Sequence, residues 1–364
     1  MLRVLADASC LCDRRREAGI GRYATLLLDA LAELPDLSVT PVVPRRPPRS
    51  ESRPGRWVHA QPLLAWRAVR ERPALLHGLS GEPALGWPPG RQVVTLHDLE
   101  LRGTAAGMPG PRGRALRAYT VSVERLLRRC GAVIAVSEVV AAEVCSAIGV
   151  EASRVHVVPH GVTPGFEALP RAEDAALREA CGVVGAEPYL LWVGSLRSHD
   201  PRKALDVLLD AVAGMGPRAV RLVLVGAAGA ETRRVAAVAR RSQIAVTLPG
   251  HVSDPSLAAL LRGCAAAVVP SLHEGFGLPA LEALACGAPL VAARAGNLPA
   301  LVGDAALLVE PGSAEGLRAG LSAALGDSVL AATLREAGPH RAAQFSWRRA
   351  AEATAAVYRT VADG

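Results

Sequence analysis

Two acidic residues frame a glycine-containing stretch in "HEGFGLPALE", where Glu274 and Glu282 stand eight positions apart. Pro279 suits the first turn of a helix, and the glycines before it leave backbone N–H groups uncovered, so that a phosphate group can approach closely. Because an ionised carboxylate only accepts hydrogen bonds, each glutamate suits a pair of sugar hydroxyls. The spacing predicts acids that hold two sugars flanking one diphosphate. The alternative is an acid at a helix terminus and an ordinary solvated glutamate.

Two adjacent cations, Arg202 and Lys203, follow Asp200 and Pro201, which are typical of a helix start. Cations in the first turn oppose the positive end of the helix dipole, at a cost of roughly 0.3–1 kcal/mol each. A diphosphate in front of the helix would remove this conflict, because it accepts hydrogen bonds from the helix N–H groups and from both side chains. The segment therefore predicts a diphosphate site. The alternative is that both side chains reach solvent.

Short apolar runs alternate with helical patterns along the chain, which predicts parallel, doubly wound sheets of the α/β class. The first series of predicted strands covers 3–6, 39–43, 75–77, 92–96, 132–136 and 155–158. The second series covers 189–193, 220–225, 244–248, 266–269 and 289–292. Helical patterns lie between the strands, among them 201–213 and 279–286. Ligands of such sheets bind beyond the carboxyl ends of the strands, and the glutamates and cations follow predicted strands.

The chain of 364 residues carries a net charge of +7, which favours anionic partners. Nucleic acid is not expected as a partner, because the 3% aromatic residues are too few for base stacking and zinc-finger spacing is absent. The basic segment 44–56 is predicted to be a solvated loop. The alternative is a loop that contacts anionic lipid or an acidic acceptor.

Apolar runs are too short for a membrane-spanning helix of ~20 residues, and the first residues lack the pattern of a signal peptide. The seven cysteines are scattered without a C-x-x-C pair. We therefore expect a reduced, cytoplasmic protein without a structural metal, with peripheral contact at the inner face of the plasma membrane left open. A nicotinamide-dependent oxidoreductase is not expected, because "DASCLCDRRREAGIG" does not fit G-x-G-x-x-G.

The run 248–311, which contains both glutamates, resembles the donor-binding half of the family 4 retaining glycosyltransferases. "VGSLRSHDPRK" is similar to the phosphate-binding segment of that family, and "GIGRYATLLLDAL", "TLHDL", "AVSE" and "VVPHGV" match its first half. The resemblance implies the GT-B fold, an α/β protein with two Rossmann-like, doubly wound domains that face a central cleft. It implies an acceptor-binding domain at 1–165 and a nucleotide-sugar-binding domain at 166–345. A helix is expected at 346–364. Whether it packs on the first domain or on the second is left open.

The resemblance also implies residue roles. Glu282 would bind the ribose hydroxyls of the nucleotide, and Glu274 would contact the donor sugar. Arg202 and Lys203 would neutralise the diphosphate and stabilise its departure. His97 would lie against the donor sugar, with a satisfied core histidine as the alternative. The remaining donor-binding residues implied by the resemblance are Gly21, Gly194, Ser195, His251, Val252, Gly275, Phe276, Gly277 and Leu278.

Two positions depart from the family pattern. Ser195 stands where some relatives carry an arginine, and Ala300 stands where many relatives carry a glutamate. If the glutamate of the relatives helps to position its loop, this protein lacks that help, because Ala300 takes its place.

The reaction implied by the resemblance moves a hexose, with mannose favoured, from a GDP- or UDP-linked sugar to a hydroxyl acceptor with retention at the anomeric carbon. The acceptor is expected to be lipid-linked or a saccharide. No D-x-D motif lies in a suitable loop, so neither a metal nor a cofactor is expected, and the cations and helix N-termini stabilise the leaving diphosphate. The alternatives are a nucleotide-sugar epimerase of the same architecture and a catalytically silent protein that binds a nucleotide sugar.

Overall fold

The computed structural model describes residues 1–13, 19–48, 52–99, 110–185, 187–216 and 219–363. The chain divides into two compact units. Unit 1 consists of Met1–Gly161 together with Ser346–Gly364, and unit 2 consists of Val162–Phe345. None of the helices in the described ranges combines the length and the apolar character that a membrane crossing requires.

Among its described residues, unit 1 contains a sheet of six parallel strands in the order β2-β1-β3-β4-β5-β6. The strands are β1 Leu2–Asp7, β2 Leu37–Val42, β3 Leu75–Gly78, β4 Gln92–Leu96, β5 Ala132–Ala135 and β6 Val155–Val157. Every residue of β3, β4 and β5 is buried, as expected for parallel strands that are covered on both faces. The order of strands reverses between β1 and β3, where ligands of doubly wound sheets bind.

The helices around this sheet include one that begins inside the predicted loop 44–56. The α-helices in the described part of unit 1 are Gly19–Ala32, Arg53–Glu71, Gly110–Leu127, Glu138–Glu143 and Trp347–Asp363. The Ser52 side chain accepts a hydrogen bond from Gly55 N at 3.3 Å, and Pro54 occupies the first turn. The loop prediction is therefore wrong from residue 53 onward, because Ser52 and Pro54 form a helix start. Residues 49–51 of that segment lie outside the described residues.

A chain of buried hydrogen bonds joins the C-terminal helix to the sheet of unit 1. Tyr358 Oη lies 2.6 Å from His77 Nδ1, and His77 Nε2 lies 2.8 Å from Thr95 Oγ1. The Thr95 hydroxyl lies 2.8 Å from Tyr23 Oη. Burial lowers the pKa of His77 to about 3, so its neutral imidazole donates from one nitrogen and accepts at the other. The network thus satisfies polar groups that would otherwise be costly to bury.

Unit 2 repeats the architecture with a second parallel sheet, of six strands within the described part of the chain. Their order is β12-β11-β10-β7-β8-β9. The strands are β7 Tyr189–Val193, β8 Arg221–Val225, β9 Ala245–Gly250, β10 Ala266–Val269, β11 Leu290–Ala293 and β12 Leu307–Val309. The α-helices are Asp174–Ala180, Leu205–Ala213, Ala230–Arg241, Asp254–Gly263, Leu278–Ala285, Leu298–Val302, Ala314–Gly326 and Ser328–Ala342. The prediction of doubly wound α/β sheets is confirmed in both units.

Replacing Tyr358 by Phe removes a hydroxyl from the fully buried network of unit 1. We expect the free energy of unfolding to fall by about 1–3 kcal/mol, because a buried nitrogen of His77 loses its partner. Thr360→Ala on the same helix is the control, since its exposed hydroxyl should contribute no more than about 0.5 kcal/mol. Denaturant unfolding followed by circular dichroism measures both variants. Equal stabilities of Tyr358→Phe and the wild type would contradict the role of the network.

Candidate functional site

The candidate site is built from loops that follow neighbouring strands of unit 2. Strands β10, β7, β8 and β9 are adjacent and parallel, so their carboxyl ends lie along one edge of the sheet. Residues 270–277 follow β10, residues 194–204 follow β7, and residues 251–252 follow β9. Parallel α/β sheets bind their ligands at this edge, and the structure brings the unit 2 residues predicted from the sequence to it.

The loop after β10 depends on glycine at its entry into the helix Leu278–Ala285. Gly277 is the N-cap of this helix and has a φ of +103°, in the left-handed region that favours glycine. A Cβ at this position would lie 3.0 Å from the side chains of Leu298 and Leu301, so the space is closed as well. No side chain caps the helix start at Gly277. Because Pro279 has no N–H and Ala280 N donates to Gly277 O at 3.0 Å, the Leu278 N–H is the first-turn donor that can face a ligand.

Glu274 is held by donors from two loops. Its Oε1 accepts from Lys203 Nζ at 2.7 Å and from Ser271 Oγ at 2.8 Å, and its side chain is 11% exposed. The Glu274 carbonyl oxygen accepts from Asn297 N at 3.0 Å, and a Cβ on Gly296 would lie 2.5 Å from the same oxygen. The carboxylate is therefore fixed in position while it neutralises the charge of Lys203.

The loop after β7 carries the cations in a 3₁₀ turn, and this corrects the prediction of one helix over 201–213. The turn Pro201–Lys203 ends at Ala204, whose φ of +47° breaks the helical path before Leu205–Ala213 begins. The cations thus precede the α-helix instead of occupying its first turn, so the dipole argument for a phosphate does not apply. A backbone hydrogen bond of 2.7 Å from Leu272 N to Arg202 O joins this loop to the one after β10.

Arg202 is paired with Asp200. The guanidinium donates to the carboxylate from Nε at 3.1 Å and from Nη2 at 2.8 Å, and the Arg202 N–H donates at 3.1 Å. Burial disfavours the charged form of Asp200, but the hydrogen bonds and charge of Arg202 outweigh burial and hold the pKa of the carboxyl below its ordinary value. Each of the two cations therefore faces a carboxylate.

Lys203 is the one lysine in a chain whose lysines and arginines together number 41. Arginine serves at every other basic position, whereas this position carries a compact ammonium on a flexible stem. The side chain is 28% exposed, so it reaches the surface of the site while it contacts Glu274. The amine is therefore both accessible and held, as a phosphate-binding lysine should be.

Glu282 lies in the second turn of the helix Leu278–Ala285 and is 2% exposed. Its Oε1 accepts a hydrogen bond of 2.9 Å from Thr163 Oγ1, and Thr163 is 3% exposed. Sequence reasoning missed both Thr163 and Ser271 as partners of the glutamates. Ser271 stands three positions before its glutamate, which is a usable signal, but Thr163 is 119 positions from Glu282 and belongs to a stretch that resembles a linker.

The remaining residues of the predicted set in unit 2 line the same edge of the sheet. Gly194 N donates to Val225 O at 2.9 Å, and a Cβ on Gly194 would lie 2.5 Å from the ring of Trp192. Ser195 is exposed, and so is His251, whereas Val252 is half-buried. The buried ring of Trp192 therefore leaves no room for a side chain at position 194.

Two predicted residues, Gly21 and His97, belong to unit 1. Gly21 is buried in the helix Gly19–Ala32. His97 follows β4, is half-buried, and its Nε2 lies 2.9 Å from the carbonyl oxygen of Leu79. Its ring also meets Tyr23 edge to face, with centroids 4.6 Å apart. The side chain is thus oriented by neighbours of its own unit. Among the described residues, no group of three or more His, Cys, Asp or Glu side chains could hold a metal ion.

Comparisons with known families match both halves of the chain. Residues 187–327 match the family described as Glycosyl transferases group 1. Residues 18–166 match the family described as Glycosyltransferase Family 4.

Two curated relatives and one solved structure extend this match. An MMP alpha-(1->4)-mannosyltransferase of Mycolicibacterium hassiacum is 34% identical over 80% of this chain and 69% of its own length. A D-inositol 3-phosphate glycosyltransferase of Segniliparus rotundus is 31% identical over 66% of this chain, and the match covers 54% of that relative. The sucrose-phosphate synthase of Thermosynechococcus elongatus has the same fold, with a TM-score of 0.76, 23% identity, and coverage of 99% of this chain and 98% of that one.

Replacing Gly296 by Ala tests the packing that supports Glu274. The added Cβ would approach the Glu274 backbone to 2.5 Å at a φ of +52°, so we expect a loss of about 1–3 kcal/mol in the free energy of unfolding. Gly326→Ala is the matched control, because nothing lies within 4 Å of its Cβ position. Calorimetric melting of both purified variants measures the difference. A Gly296→Ala protein as stable as Gly326→Ala would contradict the close packing.

Proposed function

Since the chain belongs to the family 4, group 1 glycosyltransferases, we propose that it transfers a hexose from a nucleotide diphosphate sugar to a hydroxyl acceptor with retention. The observation that carries the proposal is the cluster of Lys203, Glu274 and Ser271 at the carboxyl edge of the sheet in unit 2. It combines a cation for phosphate with an acceptor-only carboxylate for sugar hydroxyls, next to an uncapped helix start.

Donor binding is proposed to exchange the partners of the two cations. The diphosphate takes Lys203 from Glu274 and Arg202 from Asp200, and it accepts the Leu278 N–H at the start of the helix Leu278–Ala285. One charge-assisted hydrogen bond replaces another, so the exchange is close to balanced in energy. The released Glu274 carboxylate then accepts hydroxyls of the sugar, while Glu282 accepts those of the ribose. Phosphate binding and sugar binding are thereby coupled through one ion pair.

The chemical step breaks the bond between the anomeric carbon and the phosphate oxygen, and the electron pair goes to the diphosphate. Lys203 and Arg202 stabilise the charge that develops on that oxygen without the need for a metal ion. The acceptor hydroxyl attacks the same face of the sugar, and its proton passes to the departing phosphate oxygen. This same-face route, which the family resemblance suggests, accounts for retention without a nucleophilic carboxylate.

Unit 1 is proposed to provide the acceptor site. His97 would contact the donor sugar, and Gly21 would approach its phosphate or sugar. Beside His97, unit 1 contains a pocket that combines hydroxyl and carboxylate groups with apolar side chains, and Tyr119 Oη donates to Glu82 Oε1 at 2.9 Å. Such a lining suits an acceptor that carries hydroxyl groups, either a free saccharide or the saccharide part of a lipid-linked acceptor. The pocket is lined among others by Ser80, Glu82, Leu96, His97, Tyr119, Thr120, Val123 and Glu124.

Mannose linked to GDP is the favoured donor, with UDP-linked sugars next. The name of the mannosyltransferase from Mycolicibacterium hassiacum supports mannose. A thermal-shift screen with GDP, UDP, GDP-mannose and UDP-glucose tests the base and the sugar, because a ligand that binds the native state raises its melting temperature.

Product analysis by NMR then separates transfer from epimerisation, which would change the sugar without an acceptor.

A cytoplasmic location is proposed, with peripheral contact to anionic lipid through the helix Arg53–Glu71. Val58, Trp66 and Val69 are 60%, 54% and 76% exposed and fall on one face of the helix, and Arg70 lies over the Trp66 ring. Apolar side chains with flanking arginines suit the surface of an anionic membrane. Flotation with phosphatidylglycerol vesicles tests the contact, and a protein that stays at the bottom of the gradient would contradict it.

Lys203→Ala and Glu282→Ala test the proposed donor site. We expect Lys203→Ala to lower kcat by about 10²–10³, because the leaving diphosphate loses a preorganised cation. Lys203→Arg should restore only part of the rate, since a planar guanidinium does not reproduce a compact ammonium. Glu282→Ala should raise KM for the donor. Arg171→Ala, which removes an exposed ion pair with Glu167, is the control and should leave transfer unchanged.

Initial rates of transfer with purified variants, together with their melting temperatures, measure these effects. Rates close to wild type in both Lys203→Ala and Glu282→Ala would contradict the proposed function.

A further inference from the structure

We propose that the hydroxyls of Thr163 and Ser271 are positioning groups that fix the two glutamates of the site and assign each glutamate to a different sugar of the donor. Thr163 would prepare Glu282 for the ribose diol, and Ser271 would prepare Glu274 for the transferred sugar. This inference rests on the proposed function, and it adds two residues whose contacts lie inside unit 2.

The first contact is buried on both sides. Thr163 Oγ1 donates to Glu282 Oε1 at 2.9 Å, with the two residues 3% and 2% exposed. An ionised carboxylate at this depth requires hydrogen-bond donors, and a hydroxyl supplies one without adding a positive charge. A carboxylate offers about four lone-pair sites, so a hydrogen bond from Thr163 is compatible with further hydrogen bonds from ligand hydroxyls.

The backbone holds Thr163 in place. The carbonyl oxygen of Thr163 accepts from Phe166 N at 3.2 Å, and the preceding residue, Val162, donates from its N–H to Phe345 O at 3.2 Å. The Phe345 ring in turn meets the Phe276 ring of the loop after β10, with centroids 6.1 Å apart. The hydroxyl is therefore preorganised relative to the helix that carries Glu282, and its removal would weaken the hold on the carboxylate.

The second contact repeats the arrangement with one difference. Ser271 Oγ donates to Glu274 Oε1 at 2.8 Å, and Ser271 is 2% exposed. Glu274 also accepts from Lys203, which is a charged group that the diphosphate is proposed to remove. Ser271 would then remain as the donor that keeps Glu274 in position after Lys203 has left. The two hydroxyls thus act at different stages and on different glutamates.

Binding of ribonucleotides and deoxyribonucleotides separates the two roles. Calorimetry measures the Kd of GDP, UDP, 2′-deoxy-GDP and 2′-deoxy-UDP for the wild type and for Thr163→Val, Thr163→Ser and Ser271→Ala. We expect the wild type to bind the deoxy form of its nucleotide about tenfold more weakly, because one hydrogen bond to Glu282 is lost. Thr163→Val should bind the ribonucleotide about tenfold more weakly than the wild type, and its affinities for the ribonucleotide and the deoxyribonucleotide should become similar. Thr163→Ser should retain the affinity of the wild type and its preference for the ribonucleotide.

Ser271→Ala provides the reciprocal result. Its affinity for the free nucleotide and its discrimination against the deoxy form should match the wild type. Its KM for the nucleotide sugar should rise, since the defect concerns the transferred sugar. Melting temperatures without ligand report the folding of each variant, and Thr163→Ala replaces Thr163→Val if the valine protein does not fold.

The outcomes distinguish this inference from the function on which it rests. A Thr163→Val protein with the discrimination of the wild type overturns the role of Thr163 and leaves the proposed function intact. Equal effects of Thr163→Val and Ser271→Ala on every ligand overturn the assignment of separate sugars. A wild-type protein that binds neither GDP nor UDP overturns the proposed function together with this inference.

Discussion

The ion pair between Lys203 and Glu274 is the interaction on which the site depends. It joins the loop after β7 to the loop after β10 with a contact of 2.7 Å, and the backbone bond from Leu272 to Arg202 secures the same junction. Without it, a carboxylate that is 11% exposed would lack its counter-charge, and the amine would be free to leave the site. The pair holds both side chains in place before any ligand arrives.

The sheet of unit 2 makes this pairing possible. Residues 203 and 274 are 71 positions apart, but β7 and β10 are neighbours in the sheet and end at the same edge. Glycine at 277 and 296 allows the loop to turn and to pack closely where a Cβ would collide with its neighbours. Short loops on adjacent parallel strands therefore provide a rigid frame, in which the proposed exchange of partners involves only a few side chains.

The sequence predicted the alternation of strands and helices and the residues at the sheet edge, because apolar periodicity and motif spacing are local signals. It did not predict the break at Ala204, since an alanine with a φ of +47° has no local signature. It also missed the hydrogen bond of Thr163 to Glu282, which joins positions that only the fold brings together. The helix Arg53–Glu71 begins inside the predicted loop 44–56, because its start signal lies in a stretch dominated by arginine and proline.

Because Lys203 is the only lysine of the chain, acylation of amines tests the central exchange directly. The protein is treated with an acetylating reagent with and without saturating GDP or UDP, and peptide mass spectrometry follows Lys203 and the amino terminus. The account predicts that the bound nucleotide slows the acylation of Lys203 severalfold and leaves the amino terminus unaffected. Equal rates at Lys203 with and without a nucleotide that demonstrably binds would contradict the proposal that the diphosphate takes this lysine from Glu274.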